Sequence, residues 1–261
     1  MKRQIPLVLS VVATITACAL ILLTAMGSAS TNRSASSKKN QKVRPRPHIR
    51  YDPSHYTSHV DNAWFPLKPG ITYVFRGIED GQRERDLFTV THETRQVAGV
   101  TTRVIFDRVL SGGRILERTH DYYVQDVNGN VWYFGEDTAE LDRHGNVKSR
   151  AGTWHAGVKG GQAGVIMEAN PQPGNTYQQE FDRGNAEDHY QVLSLSKSVK
   201  TPYGSWGHNS LRRRVELTKE WSPLEPDVRD HKYYVRGIGE VKEKTVKGGN
   251  ERFWLVDIRH G

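Results

Sequence analysis

Short runs of β-branched and aromatic residues, broken again and again by glycine- and asparagine-bearing turns, narrow the folds open to this 261-residue chain more than any other feature. Leu87–His92, Thr101–Leu110, Ile115–Val124, Val131–Phe134, Tyr190–Val199, Leu211–Trp221, Lys232–Val235 and Phe253–Ile258 have strand composition. Between them stand Glu79-Asp80-Gly81, Ser111-Gly112-Gly113, Asn128-Gly129-Asn130, Arg143-His144-Gly145-Asn146 and Gly248-Gly249-Asn250, which suit tight hairpin turns. Strands joined this way pair with their chain neighbours, so the sequence predicts an all-β domain built as a single antiparallel meander sheet. Left flat, such a sheet exposes its apolar face, so it is expected to curl or to close into a barrel. In Leu211–Trp221, Leu211, Val215, Leu217 and Trp221 alternate with Arg212, Arg214, Glu216, Thr218 and Glu220, which predicts one buried face and one in water. The stretch Trp154 to Pro173 breaks the pattern: Gly157, Gly160, Gly161 and Gly164 interrupt it, and it reads as one long glycine-rich crossover loop.

The start of the chain speaks to compartment. Lys2 and Arg3 precede an apolar run from Ile5 to Met26, then small residues Gly27, Ser28, Ala29 and Ser30, so residues 1–30 are expected to be a signal peptide or membrane anchor. Three attachments are open. Cleavage after Ala29 releases a chain beginning at Ser30; lipidation of Cys18, in the lipobox-like Ile15-Thr16-Ala17-Cys18, tethers it; an uncleaved run of roughly twenty apolar residues spans a bilayer. The residues after Cys18 stay apolar, unlike most lipoproteins. Arg33, Lys38, Lys39 and Lys42 outnumber Lys2 and Arg3, against a simple positive-inside count; a short charged region before an apolar segment still favours export. The expected location is extracytoplasmic, either secreted or attached to the cell membrane. Cys18 is the only cysteine, so the domain has no internal disulfide and must draw its stability from burial and strand pairing.

Charge is uneven along the chain. The formal net charge is +8 and mean hydropathy −0.66. Arg33, Lys38, Lys39, Lys42, Arg44, Arg46 and Arg50 crowd residues 31–50 without one acid, and the remaining segment, 51–261, is near neutral. The basic stretch reads as a disordered linker, stiffened by Arg44-Pro45-Arg46-Pro47. Beyond acting as a spacer, it suits adhesion to a membrane surface or to an anionic envelope polymer; nucleic acid is not an expected partner of an exported domain.

Asp61-Asn62-Ala63-Trp64-Phe65-Pro66-Leu67-Lys68-Pro69-Gly70, Tyr123-Val124-Gln125-Asp126 and Gly129-Asn130-Val131-Trp132-Tyr133-Phe134-Gly135-Glu136 resemble motifs of a group of uncharacterised exported bacterial β-rich proteins, and Tyr233-Tyr234-Val235-Arg236-Gly237-Ile238-Gly239-Glu240-Val241 is similar to their closing segment. More loosely, the chain resembles the curled-sheet folds of bacterial lipoprotein carriers. The resemblance implies compartment and fold; it brings no activity and no site residues.

Chemistry must then come from clusters. Glu136 and Asp137 follow an aromatic strand end, and Glu187 and Asp188 adjoin His189; paired carboxylates beside aromatic faces are the equipment of a glycosidase. Adjacent acids at a strand end are also ordinary turn residues. His55 and His59, with Asp61, would share a helical face but lie in a segment without an HExxH element, and no metal site is expected. His120 and Asp121 point to opposite faces of a strand and cannot chelate together. No GxSxG elbow is present, and Gly204-Ser205-Trp206-Gly207 lacks the strand-to-helix context of one. No dinucleotide fingerprint occurs and no cofactor is expected. The function expected from these residues is a non-enzymatic, envelope-associated binding module, its ligand a lipid or other amphiphilic small molecule, lined by Tyr122, Trp132, Phe134, Trp154, Ile166 and Trp254. The alternative is an extracytoplasmic hydrolase of glycan or envelope polymer working through the paired carboxylates.

Overall fold

The computed structural model describes residues 49–207 and 214–261; the export segment, Cys18 and all but the end of the basic spacer lie outside the described residues. A 3-10 turn at Pro53–His55 opens the domain. It is followed by β1 (Tyr56–Thr57), β2 (Ile71–Glu79), β3 (Gln82–Val97), β4 (Val100–Ser111), β5 (Arg114–Asp126), β6 (Val131–Leu141), β7 (Val147–Ser149), β8 (Trp154–His155), β9 (Gln162–Met167), β10 (Thr176–Gln178), β11 (Glu180–Phe181), β12 (His189–Ser194), β13 (Val199–Lys200), β14 (Ser205–Trp206), β15 (Val215–Trp221), β16 (Arg229–Val235), β17 (Gly239–Lys247) and β18 (Arg252–His260).

One antiparallel sheet runs β10-β12-β15-β16-β17-β18-β2-β3-β4-β5-β6-β9-β11. Its two ends are halves of one extended segment: Tyr177 pairs with Tyr190 of β12, while Glu180 pairs with Ala163 of β9. The sheet therefore curls until its edges meet on residues 176–181, nearly closing a barrel, which removes the exposed edges a flat sheet would carry. This is the all-β meander the turn pattern predicts. Hairpins β2–β3 and β3–β4 turn on Asp80-Gly81 and Ala98-Gly99, every one of these residues at positive φ, the geometry that matches strand twist.

Two glycines mark close backbone crossings. A Cβ on Gly164 would lie 2.3 Å from the Gln178 carbonyl oxygen at the seam, and one on Gly135 would lie 2.3 Å from the carbonyl of Trp154. The glycine-rich stretch is thus where backbone passes against backbone, and within it β8 and β9 both pair with β6.

The segment before β2 packs an apolar plug into the core through Val60, Trp64, Phe65 and Leu67. Phe65 stacks edgewise on Tyr123 at 5.6 Å and reaches Phe88 and Tyr234. Asn62 shapes the approach: its Oδ1 accepts from the Trp64 and Phe65 amides, and its Nδ2 donates to the Gly129 and Glu168 carbonyls. The strand ending at Trp221 corrects the expectation of a wet face. Glu216, Thr218 and Glu220 are buried, as are Val215 and Leu217, because alternation separates two faces without saying which one turns inward.

Candidate functional site: an acidic barrel interior

The register across β15, β16 and β17 lays out the inner surface in rows. Glu216 lies beside Tyr234, and Tyr234 beside Glu240; Thr218 lies beside Lys232, and Lys232 beside Glu243; Glu220 lies beside Asp230, and Asp230 beside Thr245. Paired positions share a face, and the side chains meet. Lys232 Nζ is 3.3 Å from Glu220 Oε2 and 3.5 Å from Glu243 Oε1. Thr218 donates to Glu220 at 2.9 Å and Thr245 to Asp230 at 2.7 Å. From β5 and β6, the Tyr133 hydroxyl stands 2.8 Å from Asp121 Oδ1 and 2.9 Å from Glu136 Oε2.

The imbalance is large. Sixteen of the 29 acidic residues are buried, whereas among the described residues Lys232 is the one buried lysine or arginine. The near-neutral sum seen in the sequence is therefore a radial separation, acids inward and bases outward. Burial is the first cause of the raised carboxyl pKa values: it pushes Glu117, Glu216 and Glu240 up to about 8, with Glu220 among the carboxylates that push Glu216 and Glu240 further. Glu136, Glu180 and Glu243 also rise well above the ordinary range. Asp86 rises too, pushed first by burial and then by the neighbouring Asp107. Burial alone would discharge Lys232, yet the carboxylates of Glu220, Glu243 and Glu240 hold its ammonium well above its usual value. Hydroxyls and side-chain amides donate to Glu117, Asp121, Glu136, Glu168, Glu220 and Asp230. Asp86, Glu216 and Glu240 are the contrast: neither carboxyl oxygen of any of the three has a hydrogen-bond partner, and Glu216 and Glu240 share one row of the inner face, on either side of Tyr234. Glu240 borders a cavity of about 20 Å³ walled by Phe65, Tyr73, Phe88 and Ile238.

The structure distributes the sequence-derived residues widely. Glu136 is inside, close in charge to Glu180, which in turn senses Asp188. Asp137, one position on, faces outward, where it accepts from Tyr122 Oη at 2.7 Å and contacts Arg95 and His155. Burial opposes its charge, but the Tyr122 hydrogen bond with His155 and Arg95 holds it below the usual carboxylate range. Glu187 accepts from the Gly184 amide in a turn, Asp188 is buried, and His189 stacks on Trp221 at 5.5 Å. Of the six aromatic and aliphatic candidates, Tyr122, Phe134, Trp154 and Ile166 belong to one buried core and Trp132 packs against it, while Trp254 borders a groove on the outer wall. Trp132 donates to Asp126 and leans on Tyr56, Phe134 packs under Tyr51 and Tyr56, Trp154 donates to Glu180 at 2.8 Å, Ile166 is buried in β9, and Trp254 lies on the outer wall beneath Arg252. His55 and His59 are exposed, and among the described residues no group of three carboxylate, imidazole or thiol side chains is arranged to hold a metal ion. His120 stacks on Phe106 at 4.7 Å, its pKa lowered chiefly by burial.

Glu216, Glu220, Lys232, Glu240 and Glu243 escaped the sequence reading. A signal was available: in Glu240-Val241-Lys242-Glu243-Lys244 and around Asp230-His231-Lys232, acids and bases trade places along what the structure shows to be β17 and β16, which marks strands with two polar faces.

No protein-family model matches the chain, and no curated protein matches it. Among solved structures, similarity is found to a Bacteroides fragilis protein assigned as exported and described as having a YmcC-like fold, with TM-score 0.43 and 14% identity over 75% of this chain and 98% of that one. A Parabacteroides distasonis protein assigned as a lipoprotein aligns with TM-score 0.40 and 11% identity over the same shares.

Proposed function

We propose that the protein is an exported, non-enzymatic binding module whose barrel interior takes up a small cation. The observation that carries this is the pair Glu216 and Glu240, flanking Tyr234 on the inner face, buried and with all four carboxylate oxygens unpartnered. An ionised carboxylate in such surroundings is costly unless a proton or another cation joins it. Lys232 is engaged with Glu220 and Glu243, so it does not serve that need at Glu216. The aromatic content suggests an amphiphile; the carboxylates favour a ligand bearing positive charge, and the cavity beside Glu240 has the size of one small ion or water. Oxygen donors suit hard cations such as calcium or magnesium; since no third carboxylate, imidazole or thiol joins the pair among the described residues, water and backbone carbonyls would complete the shell. Because protons and cations compete for the same carboxylates, uptake at neutral pH releases protons.

Calorimetric titration and thermal melts with calcium, magnesium and ammonium salts at pH 8, in weak buffer with proton release recorded, test this. Saturable binding with a raised Tm and released protons is expected, and Glu216→Gln with Glu240→Gln removes both. If none of the three cations binds saturably, the reading is lost. The hydrolase alternative would instead show itself as release of reducing sugar from envelope glycan that Glu136→Gln abolishes.

A further inference from the structure

The outer wall carries the charge that the interior lacks. Its register places Lys219, His231, Lys244 and Arg252 side by side across four strands, and next to them Tyr233, Lys242, Trp254, Arg76 and Arg85 across β16, β17, β18, β2 and β3. Lys244 stands directly opposite Arg252, and Arg76 directly opposite Arg85. Like charges facing each other across a ladder oppose folding, and among the described residues no ion pair joins these four to a carboxylate. Such an arrangement costs stability in the free protein and is relieved by an anion laid across it.

A groove of about 580 Å³ crosses the same wall. Arg76, Arg83 and Arg259 border it, Trp254 contributes an aromatic face, and the buried Val74 lies at its floor. Two acids border the groove: Glu84, which is buried, and Asp257, which pairs with Arg259. The Arg252 guanidinium stands 5.9 Å from the Trp254 ring centre and the Lys242 ammonium 5.4 Å from that of Tyr233, so cations and aromatic faces alternate along the row. Neighbouring strands are spaced roughly 4.8 Å apart, which puts charges at a repeat that one extended polymer chain can follow. Burial, then the neighbouring lysines, pushes His231 and Lys242 below their ordinary values, as expected where positive charge is crowded.

We propose that this wall, centred on the groove between β2 and β18, binds a linear anionic polysaccharide of the cell envelope. Guanidinium groups take the acidic groups in bidentate fashion, and Trp254 and Tyr233 stack on sugar rings. A membrane surface is the less suited partner, because the apolar side chains here line the floor of a groove and do not protrude. The inference is independent of cation uptake by the interior.

The test is binding of the full chain to polygalacturonate, neutral dextran and phosphatidylglycerol vesicles over a range of salt. Polygalacturonate is expected to bind, weakening steeply with salt, while dextran does not. Arg76→Gln with Arg85→Gln is expected to weaken binding at least tenfold while the melting temperature holds or rises, since the facing charges are gone; a merely structural role would lower it. Trp254→Ala is expected to lower affinity without changing the salt dependence. Wild-type affinity in both variants overturns the proposal, and so does binding to the vesicles without binding to the polymer.

Discussion

Lys232 is the residue on which the interior balances. It is the one buried base among the described residues, and it stands between Glu220 and Glu243, themselves buried. Removing one partner of a buried ionic cluster leaves charge uncompensated and typically costs ~3–5 kcal/mol. Lys232→Met is therefore expected to lower stability by about that amount at pH 8 and by clearly less at pH 5, where Glu243, raised well above the ordinary range chiefly by burial, holds a proton. Urea unfolding at the two pH values measures the difference; equal losses would contradict the account. Single residues also show where sequence reasoning stopped. Asp121 and His120 were correctly assigned to opposite faces by alternation, since that rule is local. That Asp137 meets Arg95 and His155 depends on strands far apart in the chain.

Among the elements, the seam at residues 176–181 is the distinctive one, because a single extended segment serves both edges of the sheet. Gly164 permits it: the nearest atoms to an added Cβ are backbone atoms of Gln178 and Gln179, which cannot swing aside. Gly164→Ala is expected to cost ~1–3 kcal/mol through overpacking and to speed hydrogen exchange in β9 and β11 before the rest of the sheet. Gly81→Ala, in open space at φ +78, is expected to cost only about 1–2 kcal/mol of left-handed strain and to leave the seam protected. Exchange that rises equally everywhere in both variants would speak against a local seam. Hairpin turns with Asp-Gly or Gly-Gly were legible in the chain; Ala98-Gly99 was not, since alanine at φ 51 carries no turn signature. For that reason the pattern stopped at His92 where β3 continues to Val97.

For the whole molecule, the radial separation of charge dictates how stability follows pH. Glu117, Glu216 and Glu240 sit at about 8 in the fold against roughly 4.3 for an unfolded glutamate. The folded state thus holds protons that the unfolded state has released, and stability falls as pH rises across that interval. Each pKa unit corresponds to ~1.4 kcal/mol. Melting temperature is expected to decline steadily between pH 5 and pH 8.5, and to decline less when a bound cation replaces the protons. Thermal melts across that range decide it, and a profile that climbs with pH would contradict a protonated interior.

Alternation, turn residues and the absence of a domain cysteine were enough to establish strands, hairpins and one curled antiparallel sheet, because strand period and turn chemistry act over a few residues. The inward direction of Glu216 and Glu240, the clustering of acids around Lys232 and the placing of Trp254 beside Arg76 across β18 and β2 came only from the closed sheet. A two-residue repeat distinguishes two sides of a strand, but which side becomes interior depends on how distant strands curl and pair.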